Sequence, residues 1–216
     1  MASKIVDKIK DIVGEDVFTN CTGTNDFING AVMEVANIVP VDLLMKYYSG
    51  AITVLNTSSS TTTVTNKVVL SVIRQDGTSG PWRDCMQVNE VDFKTKYQDD
   101  NSTYKATKLT PVWAVVRDSL TIEPAPTDTS PGNVYIFSYP TTDWESSNDE
   151  YFTGMPTELE QAILFRAAMN IVQSYISNAV QDDEDSEMQT MLASQAQALS
   201  TGYQQEIARF TKGSIK

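Results

Sequence analysis

The chain has 216 residues, is 41% hydrophobic, 20% charged and 9% aromatic, and carries a formal charge of −12. That is the composition of a folded protein, and no apolar run approaches the roughly 20 residues of a membrane helix. The complete absence of histidine removes Ser-His-Asp, Cys-His and HExxH sites, because histidine is the usual general base near neutral pH and the usual metal ligand.

The charge is spread evenly, at −3 over residues 1–50, −5 over 51–150 and −4 over 151–216. No basic face forms, so the chain as a whole repels DNA instead of gripping its phosphates. The N-terminus Met1–Asp7 includes an acidic residue and lacks a long apolar core, so it does not read as a secretory signal, and synthesis in the cytoplasm is expected.

Ser3 can cap a first helix in which Ile5, Val6, Ile9, Ile12 and Val13 recur at spacings of three and four, with Gly14 ending it. After Cys21-Thr22-Gly23, Thr24 or Asn25 caps a second helix with apolar Phe27, Ile28, Ala31, Val32, Val35 and Val39. Pro40 breaks or kinks it, and Leu43, Leu44 and Tyr47 continue an apolar face beyond. From about 51 to 150 short β-branched and aromatic runs predict strands at 52–55, 67–73, 112–116, 119–122 and 133–139, hence a small antiparallel sheet, sandwich or barrel. The run Thr57–Thr63 reads as a mobile linker or edge loop. Helix resumes at Thr157, which with Glu160 has capping-box spacing, and Leu159, Ile163, Ala167, Ile171 and Tyr175 carry it to about residue 180. The acidic run Asp182–Glu187 makes a turn into a second long helix bearing Met188, Leu192, Ala196, Leu199, Tyr203, Ile207 and Phe210.

Little chemistry is signalled. Cys21 and Cys85 are far apart and outside any CxxC pair, so they read as free thiols. GxGxxG and GxxxxGK[ST] are both missing, and no phosphate cradle or cofactor site follows. The acidic run lacks the alternating order of an EF-hand loop, and acids before a helix are stabilised by its dipole without metal. Asp99–Ser102 reads as a turn, and the N-x-[ST] triplets at Asn20, Asn56 and Asn101 as chance matches. Trp82, Trp113 and Trp144 all fall in the β region, where they either pack or line a sugar pocket. Carboxylate-only hydrolysis remains open in principle.

Certain stretches are similar to a known family. They are the second helix 26–37 leading into Val39-Pro40-Val41-Asp42-Leu43-Leu44, the β segments Gly80–Cys85, Thr110–Trp113, Leu120–Pro126 and Val134–Pro140, and the helix 156–169 with Arg166-Ala167-Ala168. In order and texture they resemble head-to-tail adaptor (connector, neck) proteins of tailed bacteriophages over nearly the whole chain. The resemblance implies a non-catalytic virion protein. It would form a homo-oligomeric, typically dodecameric ring beneath the portal protein, contact tail or nozzle proteins, and let DNA pass through the lumen without cofactor or membrane.

The expected fold class is α+β. A helical bundle from residues 1–50 and 151–210 would carry an inserted antiparallel β subdomain, 51–150, and a C-terminal tail, 211–216. Arg209, Phe210, Lys212, Ile215 and Lys216 are candidate portal-docking residues, because they join basic charge to apolar anchors at the end of an acidic chain. The alternative is a tail-associated carbohydrate-binding or fibre-like attachment protein.

Overall fold

The computed structural model describes residues 4–46, 52–65, 67–139, 142–179 and 186–212. The fold is α+β, and it divides into two compact units, Met1–Tyr47 with Tyr139–Lys216, and Tyr48–Ser138.

In the first unit, helix α1 (Ile5–Val13) buries Ile5, Ile9 and Val13, one residue per turn. Gly14, at φ 93°, turns the chain into α2 (Glu15–Thr19), a helix too short for periodicity to reveal, whose Phe18 is buried. The third helix, α3 (Thr24–Ile38), starts after Gly23 in the left-handed region and buries Thr24, Ile28, Ala31, Val32, Val35 and Ala36. It stops where Val39 goes extended ahead of Pro40, as the proline ring demands of the residue before it, and α4 (Val41–Lys46) follows. A 3₁₀ turn, Thr157–Leu159, leads into α6 (Glu160–Ala179). This helix packs against α1, α2, α3 and α7 (Ser186–Lys212), so it is buried on several sides, with Ala162, Ile163, Ala167, Ala168, Ile171 and Val172 all inaccessible.

Three expected caps differ. Neither Thr24 nor Asn25 caps α3. The Thr24 hydroxyl donates to Glu145, and Asn25 Oδ1 accepts from the backbone of Trp144 at 2.9 Å and of Glu145 at 3.3 Å. The Thr157–Glu160 capping box does not form either. Thr157 donates to Glu158, and Glu160 pairs with Lys8 at 2.6 Å, tying α6 to α1. Thr24, Asn25 and Glu160 are each taken by a partner distant in the chain, and Thr157 is left to its neighbour. Ser3 and the acidic residues 182–185 lie outside the described residues.

The second unit holds two four-stranded sheets. One runs β1 (Thr53–Leu55), β8 (Gly132–Ser138), β3 (Lys67–Gln75), β4 (Trp82–Asp84), and the other β2 (Thr61–Thr63), β7 (Ser119–Glu123), β6 (Val112–Val116), β5 (Met86–Gln87). Thr61–Thr63, expected to be loop, is an edge strand paired with β7. Its threonines are β-branched and suit a half-exposed ladder, so the low-complexity signal misled. At Cys85 the chain passes from one sheet to the other, with the Cys85 amide donating to Val72 and the Met86 amide to Pro111. β5 and β6 pair in parallel, against the expected antiparallel pattern. Their connection carries α5 (Glu90–Asp92) and a π turn, Phe93–Tyr97, supplying the crossover that parallel strands need. Leu55, Val72 and Val134 from the first sheet meet Trp113, Leu120 and Ile122 from the second. Gly132 keeps them close, since a Cβ there would lie 2.6 Å from Ile122 Cδ1.

Two buried polar groups mark this core. Arg74 is 4% exposed and its guanidinium donates to the carbonyls of Pro124, Gln75 and Ala125 at 2.9, 3.3 and 3.4 Å, clamping the chain after β7. Burial pushes the Cys85 thiol up to about 12, although the nearby Arg74 charge opposes the shift. Cys21, in the helical unit, is also raised by burial. Because the thiolate is the reactive form, both cysteines are expected to resist iodoacetamide at pH 8 in the native protein and to label on denaturation. Labelling of Cys85 at a free-thiol rate would show that the β core opens readily.

Candidate functional site

The residues expected to dock a partner sit at the end of α7. Arg209 and Phe210 are helical, and the helix continues to Lys212, so this part of the anticipated tail is ordered helix. Arg209 is largely exposed and donates to both carboxylate oxygens of Glu206, at 3.0 and 2.7 Å. One turn of helix thus offsets part of its charge. Phe210 is half-buried. Ile215 and Lys216 lie outside the described residues, as does the side chain of Lys212.

What holds α7 in place is a seam on α6. Leu192 and Leu199, two turns apart, are its buried residues among those described. Further along, Gly202 lets the Phe165 ring approach, as a Cβ at 202 would meet it at 3.0 Å. Arg166 Nε then donates to Glu34 at 2.7 Å, the Arg166 guanidinium stands 5.7 Å from the Tyr203 ring centre, and the Tyr203 hydroxyl donates to Glu34 at 3.5 Å. This cluster joins α3, α6 and α7. Burial lifts the Tyr203 phenol above its usual range, the Glu34 charge adds to that, and Arg166 opposes it. Near the start of the seam Gln195 donates to the Ile12 carbonyl at 2.7 Å. The sequence signalled the α7 periodicity but not Glu34 or Gln195, whose partners are distant in the chain.

The three tryptophans are divided between the two units. Trp113 is buried between the sheets, and Trp82, on β4, is exposed. Trp144 lies in the helical unit, 1% exposed, with its indole N–H donating to Asn29 at 2.9 Å and its ring 5.1 Å from Phe152 in an edge-on contact. The segment around it, placed by composition with the strands, hydrogen-bonds to α3 instead. The Asp99–Ser102 segment is a turn, with Asp99 accepting from the Asn101 and Ser102 amides.

A shallow cleft of about 290 Å³ lies among Val6, Lys10, Phe18, Cys21, Thr24 and Glu145. Its ammonium is already engaged, because Lys10 pairs with Glu15 at 2.8 Å and lies 5.3 Å from the Phe18 ring centre. Among the described residues no group of three His, Cys, Asp or Glu side chains could hold a metal ion, and no helix is long and apolar enough to cross a membrane.

The described residues thus form two folded units, one of which includes the long helix α7 packed mainly on α6. The chain matches the family model described as SU10 adaptor protein over residues 2–214, and it belongs to that family. It is therefore a phage adaptor, a structural component of the virion. No curated protein sequence matches it.

Proposed function

We propose that the chain is one subunit of a head-to-tail adaptor ring that joins the portal to the tail and lines the channel through which DNA passes. Family membership across residues 2–214 is the observation that carries this reading. Charge supports it, since a ring of subunits each at −12 would present DNA with a repelling wall along which it slides. The β unit would then face neighbours, tail or solvent. Electron microscopy of the purified protein with its portal is expected to show rings seated on the portal. A protein that stays monomeric at assembly concentrations with portal present would sink the reading.

Within that assembly, the end of α7 and the residues after it would dock on the portal. Arg209, Lys212 and Lys216 bring positive charge to an otherwise acidic chain, and Phe210 and Ile215 supply apolar anchors. Deleting residues 209–216 is expected to leave circular dichroism and melting temperature unchanged while weakening portal affinity at least roughly tenfold, the loss of one well-seated apolar anchor. Unchanged affinity would show that the segment takes no part in docking.

A further inference from the structure

Charge is missing from one part of this molecule. Residues 167–181 contain no charged side chain, nor do the eighteen residues 188–205, in a chain that is 20% charged. These stretches form most of α6 beyond Arg166 and most of α7. On α7 the side away from Leu192 and Leu199 presents Thr190, Ser194, Gln197, Ala198, Thr201 and Gln205, all exposed and all at helical spacing. Near the start of the helix Met191 adds a large apolar side chain that is 64% exposed. This helix, about 40 Å long, buries Leu192 and Leu199 on its inner side and has no charged residue along its middle, and a polar helix of this kind usually draws support from surface ion pairs or from a neighbour.

A second uncharged surface lies on another side of the same unit. Asn170, Gln173, Ser174, Ser177 and Asn178, at helical spacing on α6, line an open groove of about 520 Å³ with Phe27 of α3. Its lining joins one aromatic ring to amides and hydroxyls.

Copies of a chain at −12 repel one another, and surfaces that carry no charge are where two copies can approach without adding to that repulsion. The outward face of α7 and the α3–α6 groove are two such surfaces, one a ridge and the other a groove. We infer that the outward ridge of α7 in one copy lies in the α3–α6 groove of the next copy. The occupant is thus a second copy of this chain, contacted head to tail through unlike surfaces, which is the arrangement that closes into a ring rather than stopping at a dimer. The inference rests on the ring reading and adds which faces meet.

Carboxylates placed on either surface test it. Ala198→Glu on the ridge and Gln173→Glu in the groove, each at an exposed position, are expected to cut ring yield at least roughly tenfold by native mass spectrometry, with helicity and melting temperature unchanged. Val91→Glu adds the same charge to an exposed position in the β unit and should leave assembly intact. Cysteine pairing provides a second readout. Ser194→Cys and Gln173→Cys proteins are expected to form a disulfide-linked dimer when mixed, and neither alone, while the native thiols are buried.

If the wild type forms rings and both glutamate variants do so equally well, the inference falls and the ring reading stands. A Ser194→Cys protein that cross-links to itself would show a two-fold contact between ridges and overturn the head-to-tail pairing. A wild type that never forms rings, with or without portal, overturns both.

Discussion

Replacing Trp144 with alanine is expected to lower the melting temperature of the helical unit by roughly 10–15 °C. Trp144 is among the largest fully buried side chains, and its removal opens a cavity beside Phe152. Such deletions cost about 3–5 kcal/mol, and each kcal/mol is worth about 2–4 °C in a chain of this size. Its backbone amide is also bound by Asn25, and Asn29 accepts the indole N–H while bonding the Thr142 backbone. The side chain is therefore the pin that fastens the segment before α6 to α3. Trp144→Phe separates the two contributions. It keeps most of the burial, loses the indole hydrogen bond, and is expected to cost about 1–2 kcal/mol. An alanine variant that melts within 2–3 °C of the wild type would mean that the segment is not fastened there.

Gly80→Ala is expected to have the largest effect in the β unit. A Cβ at Gly80 would stand 1.5 Å from the Asp76 carbonyl oxygen and 2.5 Å from its carbon, and these are backbone atoms that cannot rotate away. The loop there is already closed by the Asp76 amide donating to Pro81 at 3.1 Å and the Gly80 amide to Gly77 at 3.3 Å. Overpacking of this kind costs roughly 1–3 kcal/mol and falls at the upper end where backbone must move. Hydrogen exchange should show β4 losing protection against β3, because their pairing, Ile73 with Asp84 through Gln75 with Trp82, begins at that loop. Gly77→Ala provides the contrast. Gly77 has open space around it but sits at φ 77°, so alanine there costs only about 1–2 kcal/mol of backbone strain. Equal effects at both positions would show that the loop yields freely.

Several elements were legible because their causes are local. The helix 5–13 ends at Gly14, the strands 112–116 and 119–123 keep their expected bounds to within a residue, and α3 stops at Ile38, two residues before Pro40. In each, the signal and its physical cause lie within one turn or one strand. The candidate docking residues rest on the same kind of information, charge and apolarity within a short stretch, and of them Arg209 and Phe210 are helical.

Tertiary structure decided what depends on partners far along the chain. Trp144 reads by neighbourhood as part of a β region, yet Asn25 and Asn29, more than a hundred residues away, draw it into the helical unit. Thr24 and Thr157 stand where caps belong, but Glu145 claims the first, and Glu160, needed to complete a box with the second, is held by Lys8. Thr61–Thr63 becomes a strand only because β7 offers it an edge. The sequence by itself determined that the protein is α+β, acidic, without histidine and helical toward both ends, since composition and periodicity are properties of the chain alone. Which polar side chains pair, and which uncharged helix faces are left outward on α6 and α7, were decided only by folding, because a hydrogen bond or an exposed stripe exists only once its surroundings are in place.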